Sequence, residues 1–144
     1  MPKIKHIAIS TQDPDATAKF YTEVFGMKEI AKLNSPNASG YFLSDGDINM
    51  AILKFKNDQV AGAEYTKNYS GLHHIGFQVE SLEEIAEKLE AAHSPKRDDI
   101  NRALGVGMTG SRHANVEVKY AAPDGVILDV SETGWVGTSP MVRD

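Results

Sequence analysis

The sequence predicts an α+β fold built from two βαβββ modules, and three observations carry that prediction. "HIAISTQDPDATAKFY", starting at His6, and "HIGFQVESLEEIAEKL", starting at His74, read as one design. Each runs histidine, isoleucine, a small residue and an apolar residue, then a cap and a helix. The period of 68 residues, about half the chain, is too long for a solenoid unit and suits two modules that share a core. Each helix signal is also followed by paired strand signals about a glycine-containing turn.

At 144 residues and 41% hydrophobic, the chain suits one domain over 1–144. Module one covers about 1–56, a linker about 57–70, module two about 71–135, and a tail 136–144. In module one the strand at His6 leads to Asp13, an N-cap with Pro14 at the first helical position. Phe20 and Val24 lie four apart on one helix face, and Gly26 stops the helix. "GYFLSDGDINMAILKF" reads as two strands about Asp45-Gly46, while the pattern from Ala31 to Ser39 is weak. In module two Ser81 and Glu84 form a capping-box pattern. Leu82, Ile85, Leu89 and Ala92 keep helical spacing until Ser94-Pro95. "NVEVKYAAPDGVILDV" reads as two further strands about Pro123-Asp124-Gly125. Asn57 to Ser70 and Pro95 to Arg112 read as connecting segments.

Composition removes several function classes. The net charge of −5 is spread along the chain, with no basic stripe interleaved with aromatics, so neither nucleic acid nor an anionic membrane is an expected partner. There are no cysteines, which excludes disulfides, thiolate metal sites and cysteine nucleophiles. "MPKIKHIAIS" lacks a signal peptide's apolar region and no run has the length of a membrane span, so a cytoplasmic location is expected.

The stretch "GLHHIGFQV" places two histidines in succession, and neighbouring strand residues point to opposite faces. His73 falls on an apolar stripe with Ile75, Phe77 and Val79, suited to packing under a helix, and is expected to be structural. His74 falls with Leu72, Gly76 and Gln78 and is the repeat partner of His6. In the last strand Leu128 and Val130 form the packing set, which leaves Ile127, Asp129 and Ser131 opposite. A carboxylate on a mostly apolar strand needs a hydrogen bond, an ion pair or a metal. His6, His74 and Asp129 thus make a 2-His-1-carboxylate set, which leaves coordination positions open for substrate or water. Lys119 is the alternative partner of Asp129, in a salt bridge.

These segments, with "APDGVILDV" near the end, resemble the vicinal oxygen chelate superfamily of glyoxalases, extradiol dioxygenases, methylmalonyl-CoA epimerases and bleomycin or fosfomycin resistance proteins. The resemblance covers nearly the whole chain. It implies curled mixed sheets around a cup-shaped cavity that holds a divalent ion (Fe, Mn, Zn, Ni or Co). The implied ligands are His6, His74 and Asp129, the last one methylene shorter than the family's usual glutamate. The fourth family position falls near Ala51, where glyoxalases and epimerases tend to carry Glu or Gln. This favours a three-ligand, dioxygenase-like enzyme acting on a small oxygen-chelating substrate.

Two further readings stay open. One is a glyoxalase- or epimerase-like lyase or isomerase; the other is a metal-free small-molecule binder of the drug-resistance kind. Where ring-cleaving dioxygenases resemble one another in a tyrosine, this chain has Lys119, and His113 resembles their acid–base histidine in neighbourhood only. Glu117 and Lys119 share a strand face as candidate general acid or base. Arg112, on a loop with Arg97 and Arg102, is a candidate for an anionic substrate group, and Trp135 for closing the cup or packing at a dimer contact. The match of "GVGMTG" to a dinucleotide motif fails on context, since no strand precedes it and no helix follows. Family members are commonly dimers, and exposed sheet edges invite pairing, so a homodimer is expected.

Overall fold

A computed structural model describes residues 1–106 and 117–141. Module one is β1 (Lys3–Ser10), α1 (Pro14–Phe25), β2 (Lys28–Asn34), β3 (Ala38–Ser44) and β4 (Asn49–Phe55). Next come α2 (Asp58–Ala61), β5 (Gly71–Gln78), α3 (Leu82–Ala91), α4 (Asp98–Leu104), β6 (Val118–Ala121), a 3-10 turn at Pro123–Gly125, and β7 (Ile127–Ser131). All seven described strands form one mixed α+β sheet in the order β2-β3-β4-β1-β5-β7-β6. Two βαβββ modules imply an eighth strand; residues 107–116, between α4 and β6, lie outside the described residues.

The halves meet at the sheet centre, where β1 pairs antiparallel with β5, and each pairs parallel with its own module's last strand, β4 or β7. Local chemistry sets the elements as the sequence implies. Asp13 accepts a hydrogen bond from the Ala16 amide at 3.1 Å, Pro14 opens α1, and Gly26 closes it at φ 71°. Ser81 caps α3 by accepting from the Glu84 amide at 3.1 Å.

Phe20 and Val24, four apart on α1, are 53% and 59% exposed, and the helix buries the small Ala18 against Leu43 and Ile52. Two expectations are corrected. The segment 57–70 is more than a linker, because Asn57 caps α2, whose Val60 and Ala61 join a core with Ala8, Ala51, Leu53 and Phe55. The segment from Pro95 likewise contains α4, and Gly105 caps that helix, so "GVGMTG" follows a helix.

The β1–β5 ladder breaks strict alternation twice. Lys5 has no partner between Ile4↔Phe77 and His6↔Gly76, and His73 has none between Ala8↔His74 and Ile9↔Leu72. Each is a one-residue bulge, and the two compensate, so the register is restored at the ends of the ladder. Each bulged residue immediately precedes one of the repeat-related histidines. The bulge takes His73 out of the apolar stripe in which simple alternation places it.

Candidate metal centre

His6 on β1, His74 on β5 and Asp129 on β7 come from three adjacent strands and are 3%, 5% and 0% exposed. Parallel pairing of β5 with β7 sets Asp129 beside Gly76, two residues past His74. The equivalent pairing in module one sets Ala51 beside Ala8, two residues past His6. Ala51 is therefore the repeat counterpart of Asp129, and one acid serves both histidines.

His6 Nε2 lies 3.0 Å from His74 Nε2 and 4.0 Å from Asp129 Oδ2, which is 3.1 Å from His74 Nε2. A triangle with these sides has a circumradius of about 2.0 Å, so one point lies a metal–nitrogen or metal–oxygen bond length from all three atoms. The site is assembled within a single chain.

The hydrogen bonds at the outer ends of the imidazoles decide where the protons sit. Asn49 donates from Nδ2 to the Val136 carbonyl at 3.0 Å, which turns its Oδ1 toward His6 Nδ1 at 2.8 Å. His6 Nδ1 must then carry the proton, and Nε2 is a bare lone pair. At the other end the Ala61 carbonyl lies 2.6 Å from His73 Nε2, which must be the N–H. His73 Nδ1 is thus free to accept from His74 Nδ1 at 2.7 Å, and His74 Nε2 is also a lone pair. Burial pushes His6 down to about 4 and His74 to about 3, against the pull of Asp129. Both are neutral at pH 7. Asp129 Oδ2 completes the set as a buried oxygen with no hydrogen-bond donor among the described residues. Three acceptors converge without a proton among them, and such a set calls for a cation.

Part of that call is met by Lys119 on β6, whose Nζ donates to Asp129 Oδ1 at 2.5 Å with both groups buried. Burial works against the Asp129 carboxylate, but the Lys119 ammonium in contact with it outweighs burial and holds the group below the usual carboxylate range. Asn101 of α4 fixes the Lys119 backbone, accepting from its amide at 2.9 Å and donating to its carbonyl at 3.1 Å. Glu117 is half-buried nearby; burial and the Asp129 charge raise its pKa to about 7.

Trp135 is 7% exposed and stacks on His6, ring centroids 4.7 Å apart and planes within 1°. Its indole meets the sheet at Gly76, where a Cβ would stand 2.7 Å from the ring. The tail is strapped down by Ser44 Oγ donating to the Gly137 carbonyl and by Lys5 Nζ donating to Ser139 Oγ. Arg112 and His113 lie outside the described residues, and Arg97 pairs with Glu64 at 2.7 and 2.9 Å. Two contributors escaped sequence reasoning. Asn49, an amide two residues before Ala51 within an apolar strand, was visible as an anomaly. Strand parity alone gives His73 only a packing role.

A cavity of about 560 Å³ is lined by Ala86, Glu90, His93, Ser94, Pro95, Lys96 and Tyr120. Tyr120 alternates with Lys119 along β6, so this cavity opens on the sheet face away from the triad. Among the described residues no helix is long and apolar enough to cross a membrane.

Residues 3–130 match the family model of the glyoxalase/bleomycin resistance protein/dioxygenase superfamily. No protein among the curated sequences matches the chain. Among solved structures it is similar to a hypothetical protein, BH1468, from Bacillus halodurans C-125, with TM-score 0.71, 19% identity and 99% of each chain covered. A methylmalonyl-CoA epimerase in complex with methylmalonyl-CoA and NH4+ gives TM-score 0.70 at 20% identity, covering 97% of this chain and 99% of that one. The epimerase from Mycobacterium tuberculosis gives 0.64 at 15%, covering 95% and 88%. At these identities the likeness is one of fold. The family match over most of its length establishes that the chain belongs to the glyoxalase/bleomycin resistance protein/dioxygenase superfamily.

Proposed function

We propose that this protein is a metal-dependent enzyme that moves a proton on a small substrate chelating through two oxygens, an isomerase or lyase in the manner of the epimerases. The observation that carries the metal is the convergence of His6 Nε2, His74 Nε2 and Asp129 Oδ2, three lone pairs with no donor between them among the described residues. A divalent ion held there would supply Lewis-acid polarisation of the substrate oxygens. Lys119 neutralises Asp129 and leaves only Oδ2 to coordinate, so the protein's own charge at the triad is near zero. An anionic or enolising oxygen pair on the substrate would supply the missing negative charge.

Glu117 is the proton-transfer group in this reading. It is half-buried on the side of Asp129, and burial raises its pKa above the ordinary carboxylate value, which favours its holding a proton for transfer. The dioxygenase-like reading shares the three-ligand set but finds Lys119 where its tyrosine belongs.

The test follows deuterium exchange from D2O into the α-carbon of acyl thioesters and into C1 of the hemithioacetals that 2-oxoaldehydes form with a thiol, with oxygen uptake on catechols run in parallel. Metal-dependent exchange that Glu117→Gln abolishes while metal content is unchanged is the expected result. Oxygen uptake on catechols without exchange would give the site to the dioxygenases. A second reading, metal-free binding, is favoured by one observation: the Lys119 ammonium already serves Asp129. It predicts ligand binding that chelators leave untouched. We also propose a homodimer, supported by β2, a largely exposed edge strand; light scattering should give about twice 15.7 kDa, and the monomer mass would refute it.

A further inference from the structure

We infer that His73 is a positioning residue that selects the metal-binding tautomer of His74, acting through a histidine–histidine–carbonyl relay that the β5 bulge makes possible; this rests on the metal reading above. On a regular strand the two rings would project to opposite faces. The unpaired position of His73 in the β1–β5 ladder turns its ring so that the two Nδ1 atoms meet at 2.7 Å, the rings edge to face with centroids 5.0 Å apart. The far nitrogen is pinned by the Ala61 carbonyl at the last turn of α2. Because a carbonyl only accepts, the polarity of the relay runs one way. His73 carries its proton on Nε2, presents Nδ1 as an acceptor, and draws the His74 proton to Nδ1.

The environment holds this geometry. His73 is 3% exposed and sits among Phe55, Tyr65 and Tyr69, with ring centroids at 4.7, 5.1 and 6.5 Å. Its counterpart for His6 is Asn49, which fixes the same tautomer from a different strand. Each of the two imidazoles thus has a dedicated partner at Nδ1, and the segment between the modules supplies the anchor for one of them. Partners of this kind typically change metal affinity roughly 10- to 100-fold when removed.

The experiment compares wild type with His73→Phe, which fills the aromatic box but offers no acceptor, and with His73→Gln, which keeps both an acceptor and a donor. Long-range ¹H–¹⁵N spectra of metal-free protein report the His74 tautomer, Zn²⁺ competition against a chromophoric chelator gives affinity, and thermal unfolding gives stability. The expected result is His74 protonated at Nδ1 in wild type and His73→Gln. In His73→Phe the tautomers are mixed and Zn²⁺ affinity falls roughly 10- to 100-fold. A wild-type His74 protonated at Nε2 would overturn the inference. So would His73→Phe with wild-type tautomer and affinity, or losses in both variants that only track melting temperature. If wild type binds no Zn²⁺, the metal reading fails, and the tautomer comparison still decides whether His73 governs His74.

Discussion

Replacing Lys119 by Met should uncover the charge problem at the heart of the site. In the metal-free protein the Lys119 ammonium is, among the described residues, the one formal positive charge hydrogen-bonded to Asp129, at 2.5 Å, with side chains 5% and 0% exposed. Methionine keeps most of the volume and removes the cation, leaving a buried carboxylate beside two neutral imidazoles. Breaking a buried pair by removing one partner costs about 3–5 kcal/mol. For a chain of this size that corresponds to a fall in melting temperature of roughly 6–20 °C. A divalent ion supplies the missing charge, so Lys119→Met should gain more from Zn²⁺ than wild type does. Wild type should gain about 2.7 kcal/mol at a hundredfold excess over Kd. The assay is urea unfolding with and without Zn²⁺ for both proteins. A loss below about 1 kcal/mol in the metal-free variant, or a smaller Zn²⁺ response than wild type, would refute the reasoning.

Two further outcomes follow from the same geometry. Gly76→Ala places a methyl 2.7 Å from Trp135 and 2.8 Å from the His6 Cβ, and should cost about 1–3 kcal/mol while shifting the emission of the single tryptophan; unchanged emission and stability would count against the stacking. Glu64 is held below its ordinary 4.5 by hydrogen bonds from Arg97, so its contribution to stability is present above that value and lost as pH falls through the folded value. Because Glu64 is exposed, Glu64→Gln should lose under about 1 kcal/mol at pH 7 and nothing at pH 2; an equal loss at both pH values, in urea unfolding, would contradict this assignment.

Much of the site was legible because repetition and alternation are both written in residue order. The 68-residue echo paired His6 with His74, and alternation along "GVILDV" turned Asp129 toward them. The caps at Asp13 and Ser81 were legible for the same reason, since their hydrogen bonds close within three residues. What escaped depended on partners distant in sequence. The bulge at His73 exists only relative to β1, so parity along β5 alone gave that residue the wrong surroundings. Phe20 and Val24 had helical spacing, but spacing does not say which of two faces meets a sheet. α2 and α4 are short helices whose apolar residues are few, and their packing against each other and the sheet is what defines them. Lys119 could be placed on the face of Asp129 by counting; that the two groups are in contact follows from the register Lys119↔Asp129 of β6 on β7.

Whether the triad of His6, His74 and Asp129 holds a metal is decided by the metal content of protein purified without chelator, measured per chain beside Asp129→Ala. Wild-type protein should hold close to one divalent ion per chain, retained on dialysis, with a marked loss in Asp129→Ala, which removes the only anionic donor among the three. Quenching of Trp135 by a paramagnetic ion such as Co²⁺ or Mn²⁺ should accompany loading, since the indole stacks on His6. Wild-type protein that holds no ion as purified, and takes up none of Fe, Mn, Zn, Ni or Co on incubation, would contradict the metal assignment.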